Sequence, residues 1–233
     1  ELVNLDYVDP GCSLWPMVVY LADHKAATLT GVVDALELFN EEWPSAKADF
    51  LGAAGSSGFE AATNIVVKKA NTEMLFYVYG AVLLLCMLTF RSVPGVICAV
   101  LPLMMTSILC EALMVWLGIG VKVATLPVIA LGVGIGVDYA LYVLTLILAK
   151  LRQGLNLTEA YYETLNFTGR VVALIGVTLA AGVVTWSMSP IKFQADMGIL
   201  LTFMFLWNMF GALILMPALA TFLLKPHKQE SAA

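Results

Sequence analysis

One acidic residue, Asp138, stands near the middle of an apolar run from Val123 to Ala149 that contains no other charged side chain. A carboxylate at the centre of a hydrocarbon layer costs at least ~2.5 to 3.5 kcal/mol on insertion scales, so such a group faces a bundle interior and marks an ion or proton pathway. Just before it, Leu131-Gly132-Val133-Gly134-Ile135-Gly136-Val137-Asp138-Tyr139 sets three glycines at alternate positions. Gly132, Gly134 and Gly136 thin the helix over almost two turns, letting a neighbouring helix approach and giving room for water or backbone adjustment. Burial favours the neutral form of an acid and a nearby donor favours the charged form, so a group balanced between them can load a proton on one side and release it on the other. Tyr139 adjoins the acid on a neighbouring face and can offer a phenolic donor to an acid on another helix. The alternative for a lone intramembrane Asp is a hydrogen-bonded residue that fixes helix packing.

The rest of the composition supplies the setting for that chemistry. Of 233 residues, 61% are hydrophobic and only 12% charged, and the mean hydropathy is +0.89. Those values describe a multi-span membrane protein rather than a soluble domain. The formal charge of −5 is spread along the chain with no basic patch interleaved with aromatics, which excludes nucleic acid as an expected partner. Cys86, Cys98 and Cys110 fall inside apolar runs and only Cys12 lies outside them, so neither a disulfide framework nor a metal site is expected. The chain begins at Glu1 with no leader pattern and reads as a fragment of a longer protein.

Residues 1–73 read as a water-soluble piece: a strand at Met17–Leu21, a helix from Lys25 to Glu42 and a strand near Ala48–Leu51, a partial βαβ unit of α+β character. Gly52 to Gly58 reads as a flexible connector, and Phe59–Ala70 as helical. Residues 74–224 form the predicted transmembrane domain, a five-helix bundle with spans at about 74–90, 94–117, 123–149, 171–188 and 198–224. An amphipathic surface helix is expected over 157–169, with Thr158 as its N-cap, and residues 225–233 form a tail. With the N-terminal piece outside, the inner connections hold Arg91, Lys150, Arg152, Arg170, Lys225 and Lys228, while the outer turns hold Lys122 and Lys192, the asymmetry of an inside C-terminus.

Depth along the helices sorts the polar residues that could assist the acid. Asp138 is about 22 Å from Val123 and about 16 Å from Ala149 by helical rise, close to the midplane. Thr178 and Asn208 fall within reach of that depth and are candidate hydrogen-bond partners for the acid or for a water chain, though each can equally satisfy its own helix. Glu111 lies about 13 Å away along the membrane normal, and reads as an interfacial carboxylate with a proton-entry role as the alternative.

At GVGIGVDYALYV the chain resembles helix 10 of the resistance-nodulation-division (RND) transporters, in the hydrophobe and lipid exporter branch that includes the mycobacterial large membrane proteins. The resemblance covers almost the whole sequence: residues 1–73 are similar to the end of a periplasmic porter subdomain, ferredoxin-like in character, and the five spans to transmembrane helices 8 to 12. It implies that Asp138 and Tyr139 form the helix-10 half of a proton relay, that Thr178 matches a helix-11 threonine assisting it, and that the partner Asp-Tyr pair lies in a missing N-terminal half. The helix-10 lysine of the drug exporters has no counterpart, which favours the lipid-exporter branch. The implied function is proton-driven export of hydrophobic or lipid-like substrates from a bacterial inner membrane, with membrane lipid and the N-terminal half as partners and a homo-oligomer possible. Protons are the coupling ion and no cofactor is expected, since no nucleotide-binding glycine loop is present. A sterol-sensing or lipid-binding receptor module of the same fold is the alternative. An intramembrane aspartyl protease would need a second mid-membrane acid, so an enzyme is not expected.

Overall fold

Long apolar stretches leave the backbone no choice in hydrocarbon but to bond to itself, and the helix does so within one segment. In the computed structural model, which describes residues 18–44, 50–52, 55–123 and 125–223, helices dominate. They are α1 (Ala26–Glu42), α2 (Ser56–Phe90), α3 (Val93–Trp116), α4 (Leu126–Arg152), α5 (Leu157–Thr164), α6 (Arg170–Val184), α7 (Lys192–Phe210) and α8 (Met216–Leu223). A π-helical turn at Leu165–Gly169 joins α5 to α6, and another at Gly211–Leu215 joins α7 to α8. Among the described residues, five continuous helices are therefore long and apolar enough to cross a membrane: Ser56–Phe90, Val93–Trp116, Leu126–Arg152, Leu157–Met188 and Lys192–Leu223.

Several boundaries differ from those read in the sequence. Among the described residues there is no strand, so the expected α+β piece is not supported: Val18–Tyr20, Phe50 and Leu51 are irregular, and Met17, Ala48 and Asp49 lie outside the described residues. A strand needs a ladder partner, and these two short segments do not provide one for each other. The first span begins within the predicted Gly-rich connector and runs unbroken from Ser56, because Lys68 to Glu73 is polar but made largely of good helix formers. The fourth span is likewise continuous with the predicted surface helix, and the N-cap of α5 is Asn156, whose side chain accepts the Glu159 N–H at 2.9 Å, rather than Thr158.

The chain divides into two units, Glu1–Val66 and Val67–Ala233. In the first, Asp23 precedes α1 and accepts the Thr28 hydroxyl at 2.5 Å and the Lys25 N–H at 3.1 Å. The Thr28 bond foremost, then the Lys25 N–H, holds this carboxyl below the usual carboxylate range. Asn40 donates to the Phe50 carbonyl at 2.9 Å, and the rings of Phe39 and Phe50 meet edge-on at 5.2 Å.

In the second unit α7 packs against α3, α4 and α6. α3 and α4 each end in paired bonds around a left-handed glycine. At Gly118 (φ 66°) the Ile119 N–H reaches the Met114 carbonyl at 2.9 Å, and at Gly154 (φ 93°) the Leu155 N–H reaches that of Lys150 at 3.3 Å. Ion pairs then fix α4 near each end: Lys122, just before it, with Asp196 of α7 at 3.6 Å, and Lys150, in its last turn, with Glu163 of α5 at 2.6 Å.

Between those ends α4 lies against α7 through its glycines. A Cβ at Gly132 would collide with Met204, and one at Gly136 would come within 2.5 Å of Leu103 Cδ2 and 2.6 Å of Asn208 Cγ. Gly136→Val should therefore lower the stability of the intact protein by about 1 to 3 kcal/mol, read as the thermal unfolding midpoint in detergent. An unchanged midpoint would contradict this packing.

Candidate functional site

Asp138 lies 12 residues from the start of α4 and 14 from its end, so it is central in the helix, about 18 Å and 21 Å from the two termini by rise. Successive α-helical residues turn by about 100°, which puts Asp138 about 200° from Gly136. The structure follows that geometry. Gly132, Val133, Gly136, Val137, Tyr139 and Ala140 are buried toward the bundle, whereas Leu131, Gly134 and Asp138 are exposed and Ile135 is half-buried. A Cβ at Gly134 would meet nothing within 4 Å. The carboxylate thus projects from an open face of α4, away from the other described residues that pack on that helix.

Tyr139 goes the other way. It is 1% exposed, and its hydroxyl is buried with no hydrogen-bond partner among the described residues. The acid and its neighbour therefore sit in different surroundings, one on the open face and one inside the bundle.

Asn208 provides the polar link between α4 and α7. It is 3% exposed and its Nδ2 donates to the Gly132 carbonyl at 2.7 Å. Midway along Lys192–Leu223, it occupies the notch that Gly132 and Gly136 leave. Its Oδ1 is buried without a partner among the described residues. It does not bond Asp138; it holds the opposite side of the acid's helix and so fixes the direction in which the acid points.

Thr178 is exposed on α6, and its hydroxyl closes back on the Leu174 carbonyl at 2.7 Å. No hydrogen bond joins it to Asp138, and α7 lies against both of their helices. Val171, Leu174 and Val177 are exposed beside it, so α6 also has an open face. Glu111 is exposed on α3, one turn beyond Ser107, whose hydroxyl bonds that of Tyr79 at 2.6 Å. No cluster of three or more His, Cys, Asp or Glu suited to a metal occurs among the described residues. Of the predicted site residues, the structure brings together Gly132, Gly136 and Asn208, and leaves Asp138, Gly134 and Thr178 on open faces.

The MMPL family model matches residues 23–229. The chain belongs to the MMPL family. Over 91 residues, 39% of this chain, it is also 34% identical to a Streptomyces coelicolor protein named as a membrane protein, of which the matched stretch is 13%. The chain thus spans a small part of the length of that relative. Family membership and five apolar helices among the described residues make it a multi-pass membrane protein of a transporter family of RND type, as the helix-10 resemblance implied.

Some parts of this site were not read from the sequence. The two ion pairs at the ends of α4 join residues distant in sequence, and no local pattern reveals them. Tyr142 and Thr145, also exposed on α4, were legible in principle, because they lie four and seven residues after Asp138 and share its face.

If the hydrogen bond from Asn208 holds α4 against α7, Asn208→Ala should cost about 1 to 3 kcal/mol in unfolding free energy. Asn208→Leu, which fills similar space without a donor, should not restore it. Full recovery of the thermal midpoint with leucine would show that packing alone joins these helices.

Proposed function

We propose that this chain is the carboxy-terminal transmembrane half of a proton-driven MMPL-family exporter of hydrophobic or lipid-like molecules. The observation that carries the reading is Asp138, a carboxylate at mid-span on a face of α4 that the described residues leave uncovered. Against acyl chains a charge there is unfavourable by at least ~2.5 to 3.5 kcal/mol. Packing of the amino-terminal half of the same protein over Leu131, Gly134 and Asp138 removes that penalty and supplies a polar partner. Gly134 has the open Cα surface that close approach of a second helix needs.

The proton changes what the face will tolerate. Protonated, Asp138 is neutral and fits an apolar contact; ionised, it requires a donor or water. Two packings of the halves, one favoured by each state, would then alternate as protons bind and leave, and the gradient drives the cycle at ~2.3 kcal/mol per charge per 100 mV. Substrate moves with the change in packing. Thr178, on the open face of α6, is placed to hydrogen-bond across the same seam once its hydroxyl leaves the Leu174 carbonyl.

In the proposed orientation Arg91, Lys150, Arg152 and Arg170 are cytoplasmic, as are both Lys225 and Lys228, and the amino-terminal piece is periplasmic. The membrane is the bacterial inner membrane. Protons serve as the coupling ion, with no cofactor.

The test is Asp138→Asn in the whole transporter, reconstituted in vesicles with an imposed pH gradient. Proton-coupled substrate movement should fall by at least about 100-fold, the range lost with an essential proton-transfer group, while substrate still binds. Undiminished pumping would refute the reading, and a wild-type protein that binds lipid but moves no protons would favour the receptor alternative.

A further inference from the structure

The last span carries a proline where a continuous helix has no place for one. Pro217 is the second residue of α8, but Lys192–Leu223 runs unbroken through it, so it sits inside a helix and not at a free amino end. A proline there has no N–H to give, and its ring pushes aside the carbonyl four residues earlier, which is that of Leu213. The π-helical turn Gly211–Leu215 ends just before it, with the Met216 N–H on the Gly211 carbonyl, five residues back instead of four. The carbonyls of Ala212 and Leu213 therefore lack the donor that position 217 supplies in either pattern.

Leu213 has found another donor. The Tyr161 hydroxyl of α5, 52 residues away in sequence, donates to its carbonyl at 2.7 Å. Such replacement is not automatic: Pro102 inside α3 withholds a donor from the Cys98 carbonyl in the same way, and no side chain among the described residues makes up for it. The contact is enclosed by this chain itself. Ala212, Met216 and Pro217 are buried, and Tyr161 and Leu213 half-buried. A Cβ at Gly211 would lie 3.3 Å from Pro102 Cβ, so α3 backs the turn that α5 holds.

Two arms meet at this turn, and they are held unequally. α7 is joined to α4 by the Asn208 bond to Gly132 and, near its start, by Asp196 to Lys122. Among the described residues α8 makes no ion pair, and the hydroxyl of its Thr221 bonds within α8 itself, to the Ala218 carbonyl. What holds it is apolar contact, chiefly with α3. Sharp helix bends gather at prolines and π-bulges, because the backbone bonds that resist bending are already missing there. In this span one side-chain hydroxyl stands in for them.

We propose that residues 211–217 are a hinge in the last span and that the Tyr161 hydroxyl is its clasp. Bonded to Leu213, it holds α8 in the direction described here; released, it lets α8 swing against the anchored α7. The Lys150–Glu163 pair sets α5 against the end of α4, so a shift of α5 along α4 and the bending of the last span become one event. The device uses no titrating group at mid-span and stands whether or not Asp138 carries protons.

The test measures the distance between spin labels at Trp207→Cys on α7 and Phe222→Cys on α8, in the whole protein in lipid nanodiscs. Both positions are exposed, and they lie about 22 Å apart by helical rise. With Cys12→Ser and any cysteine outside this chain replaced, Cys86, Cys98 and Cys110 remain and are buried. Tyr161→Phe removes one oxygen and keeps the ring. It should raise the population of a second, bent distance relative to the original at least about fivefold, equivalent to ~1 kcal/mol. Pro217→Ala returns an N–H to the helix, so in that background Tyr161→Phe should leave the distribution unchanged. A distribution that Tyr161→Phe does not alter in the presence of Pro217 overturns the clasp. A shift of equal size with and without Pro217→Ala overturns the hinge, since Tyr161 then acts through packing alone.

Discussion

An ionised carboxylate in the middle of an apolar helix restricts what that helix can touch more than any other feature of this chain. α4 meets the restriction by having two unlike sides. On one, Gly132 and Gly136 bring the backbone against α7, and Asn208 fills the notch and bonds the Gly132 carbonyl. On the other, about 200° round, Asp138 projects where none of the described residues covers it. The glycine side cannot rotate away without losing its contact, so the acid's direction is set by residues it never touches.

The same region shows how the helices tolerate irregular backbone. Two π-helical turns, Leu165–Gly169 and Gly211–Leu215, approach each other: a Cβ at Gly169 would lie 3.6 Å from Leu213 Cδ2. The Tyr161 hydroxyl donates to the Leu213 carbonyl at 2.7 Å, giving a partner to a group in a turn where regular bonding is disturbed. With the Lys150–Glu163 pair, this bond ties α5 both to the end of α4 and to the last span. The Lys122–Asp196 pair anchors the other end of α4 to α7. The acid's helix is thus secured at its ends by charge and at its centre by an amide, which leaves the open face of α4 as the surface free to change partners.

Much of this was legible before any coordinates. Five spans followed from hydropathy and length, and the acid with its glycines followed from residue type, because a charge in hydrocarbon demands explanation wherever it occurs. Helix limits were harder, since hydropathy marks the apolar part of a helix and not the helix: α2 continues to Ser56 through a polar segment that has no breaker. Asn208 was legible as a candidate partner for the acid, for a water chain or for its own helix, but depth says nothing of azimuth, and its bond is with the Gly132 carbonyl. Tyr139 showed the same gap, adjacent in sequence to Asp138 yet turned into the bundle. The strands expected before α2 rested on short apolar runs, and among the described residues neither forms a strand.

The account stands or falls on what covers the face that carries Asp138. Leu131, 49% exposed and on that face, is a suitable reporter when replaced in the whole protein by a diazirine-bearing leucine analogue and irradiated in native membranes. The expected adducts are with transmembrane peptides of the same polypeptide outside this chain. Adducts found on lipid acyl chains would place the acid against hydrocarbon and contradict the account.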